Sequence, residues 1–233
     1  FQWELSSIDL GSEDSYFSAA APADQRCYPF VFAAGEGYGG VQAKLIKKRK
    51  MPGTDGTVRI SGTSLNIRKC RLSFRETGSA FAWELEHKYS HIPFAVFAGF
   101  HHGGIVHPQG REEAFSAEDG PGTLALEALK VKSMVQYQEM VERFEKADEA
   151  NFEKLEGLHK SRYQQFFFRV RDDTDMTVED YFVDFYVVYQ GGEPHAALTE
   201  RFDDEFESRF HRHSGDSACR VLMMNLTRID SFL

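Results

Sequence analysis

The chain has 233 residues, 42% hydrophobic and 14% aromatic, which is enough to bury one large core or two small ones. Its net charge of −9 argues against non-specific nucleic-acid binding, and its three scattered cysteines argue against a disulfide framework or zinc ribbon. No apolar run approaches the roughly 20 residues that cross a bilayer, and no secretion signal follows Phe1. We therefore expect no transmembrane segment and a soluble protein, either cytoplasmic or delivered as an effector.

The first part of the chain alternates apolar runs with glycine-rich loops. The stretch PFVFAAG (29–35) is a continuous apolar run ending in glycine, typical of a buried parallel strand that feeds a loop. After a predicted short helix, RKCRLSFR (68–75) alternates and predicts a half-buried strand. IPFAVFAGF (92–100) predicts another buried strand, ending just before two histidines. This order indicates an α/β fold.

A helical segment is predicted next. Residues 107–128 begin with turn-forming sequence, and 123–158 then shows helical periodicity. The apolar positions at helical spacing are Leu129, Met134, Tyr137, Val141 and Phe144. We expect this segment to connect two domains.

After residue 160 the sequence is rich in aromatic and β-branched residues. Three runs, 163–173, 181–192 and 219–229, predict strands and together a small β-sandwich-like module. The predicted domains are therefore 1–122, a helical connector over 123–160, and a β-rich domain over 161–233. The last of these is a possible binding site for a protein partner.

Two loops carry the candidate chemistry. PGTDGTVRI (52–60) sets Asp55 in a glycine-flanked loop, and AGFHHGGIV (98–106) places His101 and His102 after the second buried strand. An imidazole is a suitable base near neutral pH, and a carboxylate that orients it stabilises the imidazolium. Asp55 also fits a plain turn, and His102 also fits a structural loop histidine or a metal ligand with His101 and His107. Adjacent histidines point apart, however, and rarely bind one ion together.

GTDGTV followed by HHGGIV resembles the last two catalytic loops of the α/β-hydrolase superfamily, in its lipase/esterase and phospholipase-effector-like branch. The resemblance covers roughly residues 1–110. It implies that Asp55 is the acid and His102 the base of a Ser-Asp-His triad, His102 being preferred because Gly103 follows it. The implied fold is the C-terminal half of an α/β-hydrolase sheet, followed by the helical connector and the small β-sandwich-like domain.

The nucleophile that this family uses is absent from the sequence. No G-x-S-x-G motif occurs among the 233 residues, and the oxyanion loop is missing too. The resemblance thus implies a serine esterase, lipase or phospholipase that cleaves acyl esters through an acyl-enzyme, with its serine upstream and no cofactor or metal. We expect the chain alone to be inactive. The alternative is a non-catalytic interaction module, or a degenerate hydrolase that binds a protein partner.

Three charged motifs remain. KLIKKRK (44–50) fits a solvated loop, a contact with a phosphate or anionic lipid headgroup, or a nucleic-acid signal. HRH (211–213) predicts a solvated polar turn. The acidic runs RDDTD (171–175) and FDDEFE (202–207) predict solvated faces rather than a calcium loop, because no D-x-D-x-D-G set occurs.

Overall fold

The computed structural model describes residues 27–38, 54–66, 68–74, 81–88, 92–157, 163–183, 185–189, 191–206, 210–213 and 215–227. The chain divides into two compact units, unit 1 (residues 1–160) and unit 2 (residues 161–233). Helices and strands are mixed, with one parallel sheet and two antiparallel sheets, which is consistent with the predicted α/β class.

Unit 1 is built on a parallel pair of short buried strands. The residues of this unit that the structure describes form the strands β1 (Val31–Ala34), β2 (Arg68–Phe74), β3 (Phe81–Lys88) and β4 (Phe94–Phe97). β1 pairs in parallel with β4, from Val31 opposite Phe94 to Ala34 opposite Phe97. The prediction of two buried parallel strands is confirmed. Both strands end at the same edge of the pair, and the loop with His101 and His102 follows the end of β4.

The other two strands form an antiparallel pair of their own. β2 lies where a strand was predicted, but Cys70, Arg71 and Leu72 are all exposed, so the expected half-burial is wrong there. β3 was not predicted, although FAWELEHK alternates apolar and polar residues as a strand does. The predicted short helix corresponds to a single 3₁₀ turn over Ile60–Gly62.

Three helices follow β4, namely α1 (Glu112–Ser116), α2 (Pro121–Ala128) and α3 (Met134–Gly157). Pro121 opens α2, where its missing amide proton and fixed φ cost nothing. The segment 123–158, predicted to be helical at least in part, is interrupted between α2 and α3. Leu129, one of the apolar positions at helical spacing, lies at the end of α2 and is 83% exposed.

The buried face of α3 covers the parallel pair. The core cluster of this unit contains Ala34, Ala95, Phe97, Phe100, Leu124, Met140, Phe144 and Ala147. Polar bonds add to this packing: the hydroxyl of Tyr137 donates to the carbonyl of Pro29 at 2.8 Å. Burial, and to a smaller extent Cys27, raises the pKa of Tyr137 well above its ordinary value. The tyrosine therefore stays protonated and keeps donating.

The described part of unit 2 contains one four-stranded antiparallel sheet, in the order β6-β5-β8-β7, and one helix. Its elements are β5 (Tyr163–Arg171), β6 (Thr177–Val178), α4 (Ala196–Phe206), β7 (Phe210–His213) and β8 (Asp216–Asn225). The strands predicted over 163–173 and 219–229 are confirmed in substance by β5 and β8. The strand predicted over 181–192 is wrong: its described residues contain only one isolated bridge, between Val188 and Pro194. The described part of unit 2 thus has a single sheet rather than two facing ones.

The charged motifs of unit 2 have structural roles. The turn after β5 closes on Asp172, whose Oδ1 accepts hydrogen bonds from Thr174 and from the amide of Met176. These bonds, led by the one from the Thr174 hydroxyl, lower the pKa of the Asp172 carboxyl.

HRH lies on strand β7, so the predicted polar turn is wrong, and 202–206 lie in α4. The basic run 44–50 falls outside the described residues.

The helices within the described ranges include none that is long and apolar enough to cross a membrane.

Candidate active site

Asp55 is held rigidly in a tight loop. An isolated bridge between Thr54 and Arg59 closes the loop at its base. Carboxylate oxygen Oδ1 accepts the backbone amides of Thr57 at 2.9 Å and Val58 at 2.7 Å. Asp55 is only 5% exposed. This turn chemistry fixes the carboxylate and leaves its second oxygen, Oδ2, aimed away from the loop.

The second oxygen contacts His102. The distance from Asp55 Oδ2 to His102 Nδ1 is 2.7 Å, a short hydrogen bond. The backbone adds a second link, because the His102 amide donates to the Asp55 carbonyl at 3.0 Å. The structure therefore brings together the two residues that the sequence analysis paired. The His102 side chain is 46% exposed, whereas the carboxylate behind it is buried.

This geometry determines how the imidazole is presented. An ionised carboxylate only accepts hydrogen bonds, so Nδ1 of His102 carries the proton that lies between them. In the neutral ring, Nε2 is then the unprotonated nitrogen with a free lone pair. Together the buried carboxylate and the half-exposed ring can take up a proton at Nε2 and stabilise the imidazolium that results.

His101 has different partners. Its Nδ1 accepts the amide of Gly104 at 3.0 Å, so in the neutral ring the proton is on Nε2. Its ring packs against that of Tyr38, with centroids 4.7 Å apart. The neighbouring His107 is exposed. Among the described residues, His, Cys, Asp and Glu form no group of three or more that could hold a metal ion.

Tyr38, which was not predicted as a site residue, contacts both loops of the site. Gly56, next to Asp55, has φ +98°, and a Cβ added there would lie 2.4 Å from the Tyr38 ring. A Cβ added to Gly103 would lie 3.6 Å from the Tyr38 hydroxyl. Tyr38 thus fills the space beside the Asp55 loop and the histidine loop. The only signal in the sequence is the glycine-rich run GEGYGG after β1, which has no side-chain pattern of its own.

Glu36 is a second residue that was not predicted. Its carboxylate accepts the amide of Gly99 at 2.9 Å, and its own amide donates to the Phe100 carbonyl at 2.9 Å. Gly99 has φ +82°, a conformation that favours glycine. Glu36 therefore fixes the turn between β4 and His101.

Comparison with known proteins bears on the fold. No family model and no curated protein sequence matches this chain. Solved structures that share its fold include a phospholipase.

That enzyme is phospholipase PlaB from Legionella pneumophila, with a TM-score of 0.68 and 16% identity over 90% of this chain and 46% of that one. The structure of PlaB in complex with thio-NAD gives a TM-score of 0.69 and 14% identity, over 99% and 48% of the respective chains. This chain thus spans about half the length of PlaB. At this identity the likeness shows a shared, phospholipase-like fold.

Proposed function

We propose that this chain supplies the acid and the base of a serine hydrolase of the α/β-hydrolase type that cleaves acyl esters, with phospholipids as its substrate class. The observation that carries the proposal is the 2.7 Å contact between Asp55 Oδ2 and His102 Nδ1. A buried carboxylate that orients a half-exposed imidazole is what such an enzyme needs. The parallel pair β1–β4 would form the last two strands of its sheet.

In the proposed reaction, Nε2 of His102 removes the proton from a serine hydroxyl as the oxygen attacks the ester carbonyl. The imidazolium then gives this proton to the leaving alcohol, which departs as the acyl-enzyme forms. Water, activated by the same nitrogen, releases the acid and restores the serine. Asp55 remains ionised throughout and orients the ring. The serine would come from polypeptide outside residues 1–233, which contain no G-x-S-x-G motif.

The preference for phospholipids rests on the PlaB likeness, which alone would not fix a substrate. A basic run at 44–50 would suit a phosphate-bearing headgroup.

The test uses the longest natural polypeptide that contains residues 1–233. We expect it to hydrolyse phospholipid and a soluble short-chain ester and to react with a fluorophosphonate. Replacing the base (His102→Ala) or the acid (Asp55→Asn) should lower kcat by about 10³-fold or more, because the triad acts as a unit.

The matched control is His107→Ala, which removes an exposed histidine from the same loop and should change kcat less than about twofold. Circular dichroism checks that each variant is folded. Full activity in His102→Ala, or the absence of fluorophosphonate labelling, would refute the proposal.

The second candidate function is a binding module without catalysis. It is favoured by exposed aromatic side chains in unit 2, where Phe182 is 91% and Tyr186 68% exposed. Val188 and Tyr189 are also more than half exposed, and a cluster of exposed apolar side chains, unlike a single one, often marks a contact with a partner. A folded full-length protein that reacts with no fluorophosphonate would support this alternative.

A further inference from the structure

The connection between α2 and α3 presents exposed apolar side chains beside exposed lysines. Leu129 is 83% exposed, Leu126 63% and Val135 65%. Lys130 and Lys132, which lie between Leu129 and Val135, are exposed as well. These five residues are called the α2–α3 surface below. Three large apolar side chains in so short a stretch expose much more apolar area than one scattered residue would.

The backbone of this connection is fixed. The Lys130 amide donates to the Glu127 carbonyl at 2.9 Å, and the Lys132 amide donates to Gln136 Oε1 at 2.8 Å. Between them Val131 packs against the core cluster of unit 1. The exposed side chains therefore project from an ordered connection and not from a frayed helix end.

The two lysines have charge available for an external partner. The nearest carboxylate along the chain, that of Glu127, pairs with the guanidinium of Arg143. Within the described residues, neither Lys130 nor Lys132 has a carboxylate at ion-pair distance. A local positive charge on a chain of net charge −9 favours an anionic partner at this place in particular.

We propose that the α2–α3 surface docks onto an anionic lipid bilayer, with its apolar side chains entering the headgroup boundary and its lysines among the headgroups. Lysine suits this position because its stem is apolar while its ammonium group stays in the polar layer. A layer of anionic headgroups over an apolar interior offers a partner for both kinds of side chain at once.

The docking surface belongs to the same compact unit as the Asp55–His102 pair. Ile105, on the histidine loop, and Val131, on the α2–α3 connection, both pack against one core cluster. Docking would thus keep the acid and the base at the membrane. The docking proposal rests on the proposed function, because that function supplies the lipid substrate.

Binding is measured by co-sedimentation of the 233-residue chain with vesicles of ether-linked lipids, which contain no acyl ester and cannot be hydrolysed. One set is pure phosphatidylcholine, and the other contains equal parts of phosphatidylcholine and phosphatidylglycerol. We expect tighter binding to the anionic vesicles, weakening as salt rises. The Leu129→Ser/Val135→Ser variant should bind roughly tenfold or more weakly. The Lys130→Gln/Lys132→Gln variant should lose roughly twentyfold on anionic vesicles only.

Two controls match these changes. Lys146→Gln/Lys154→Gln removes the same charge from exposed positions of α3, and Met176→Ser removes a 66% exposed apolar side chain from unit 2. Both should bind within about threefold of the parent chain, since exposed side chains that do not belong to the α2–α3 surface should contribute little to its contact. Equal losses in the controls, or no binding of the parent chain to anionic vesicles, would overturn the proposal.

A concentration-dependent dimer that Leu129→Ser/Val135→Ser abolishes would also overturn it, by assigning the surface to a second copy. The result of the vesicle-binding test can be distinguished from the result of the test of the proposed function. Vesicle binding without hydrolysis by the longest natural polypeptide would refute the catalytic proposal alone, and hydrolysis of a soluble ester without vesicle binding would refute the docking proposal alone.

Discussion

His101 and His102 are adjacent and chemically identical, yet their partners give them opposite tautomers. Nδ1 of His102 faces a carboxylate and carries a proton, whereas Nδ1 of His101 faces the Gly104 amide and carries none. In the neutral rings, Nε2 is therefore unprotonated in His102 and protonated in His101. The sequence indicated His102 through the glycine that follows it, and the hydrogen bonds supply the physical reason for the difference.

The contact between Tyr38 and Gly56 yields a prediction about stability. Gly56→Ala should destabilise unit 1 by roughly 1–3 kcal/mol, because the residue has a positive φ and its new Cβ meets the Tyr38 ring. In a Tyr38→Ala background the clash with the ring disappears, although the backbone nitrogen of residue 38 still lies 3.0 Å from the added Cβ. We expect a coupling of about 0.5–3 kcal/mol between the two substitutions, measured as a double-mutant cycle by urea unfolding.

Tyr38→Phe serves as the control for this cycle, because it keeps the ring that Gly56 faces. With Phe at position 38, Gly56→Ala should cost as much as it does beside tyrosine. Strict additivity of Gly56→Ala and Tyr38→Ala would show that the ring does not constrain the Asp55 loop.

At the scale of elements, α3 completes the hydrogen bonding of β4. Two backbone amides donate to side chains of the helix. The amide of Val96, in β4, donates to Asp148 Oδ1 at 2.7 Å, and the amide of Ala98, just after β4, donates to Asn151 Oδ1 at 3.0 Å. An uncovered strand edge exposes unpaired amides, and a helix laid over it removes them from solvent. The bond to Ala98 lies directly before the turn that leads to His102.

Asn151→Leu tests this arrangement. Asn151 is buried, and its side-chain amide also donates to the Ala147 carbonyl at 2.7 Å. Leucine has a similar size but no polar atom, so the Ala98 amide would lose its acceptor, at a cost of about 1–3 kcal/mol. The measurement is the urea midpoint at unchanged m-value. Glu153→Leu, at an exposed position of the same helix, should shift stability by less than about 0.5 kcal/mol, and an equal loss there would contradict the role of Asn151.

The elements also show how much the sequence could predict. β1, β4 and most of α3 were predictable because each buries a continuous run or a regular stripe of apolar side chains. The run 181–189 has the same aromatic composition as a strand, yet its described residues are not paired in a sheet. Strand pairing depends on a neighbour distant in sequence, and composition carries no information about that neighbour.

The residues of the candidate site also differ in whether a local sequence pattern indicates them. The contact between Asp55 and His102 was expected from the two loop motifs and is present in the structure, while their roles as acid and base stay a prediction. The contacts of Tyr38 and Glu36 arise only when loops far apart in sequence fold together, so no local pattern marks either residue.

At the scale of the whole molecule, the proposed acid and base lie in unit 1, and the chain covers 46% of the PlaB chain in the structural match. In the proposed reaction a third group, the serine, must lie within hydrogen-bond reach of Nε2 of His102. Without a hydroxyl there, an oriented imidazole has no nucleophile to activate. Catalysis is thus expected to require polypeptide beyond these 233 residues.

The 233-residue chain alone should consequently be inert toward acyl esters. We expect no fluorophosphonate labelling and no hydrolysis of a short-chain ester above the buffer rate, with a known serine hydrolase as the positive control. The fold is checked in the same sample by cooperative urea unfolding. Labelling or hydrolysis that His102→Ala abolishes would contradict this expectation, because it would show that a serine within these residues reaches His102.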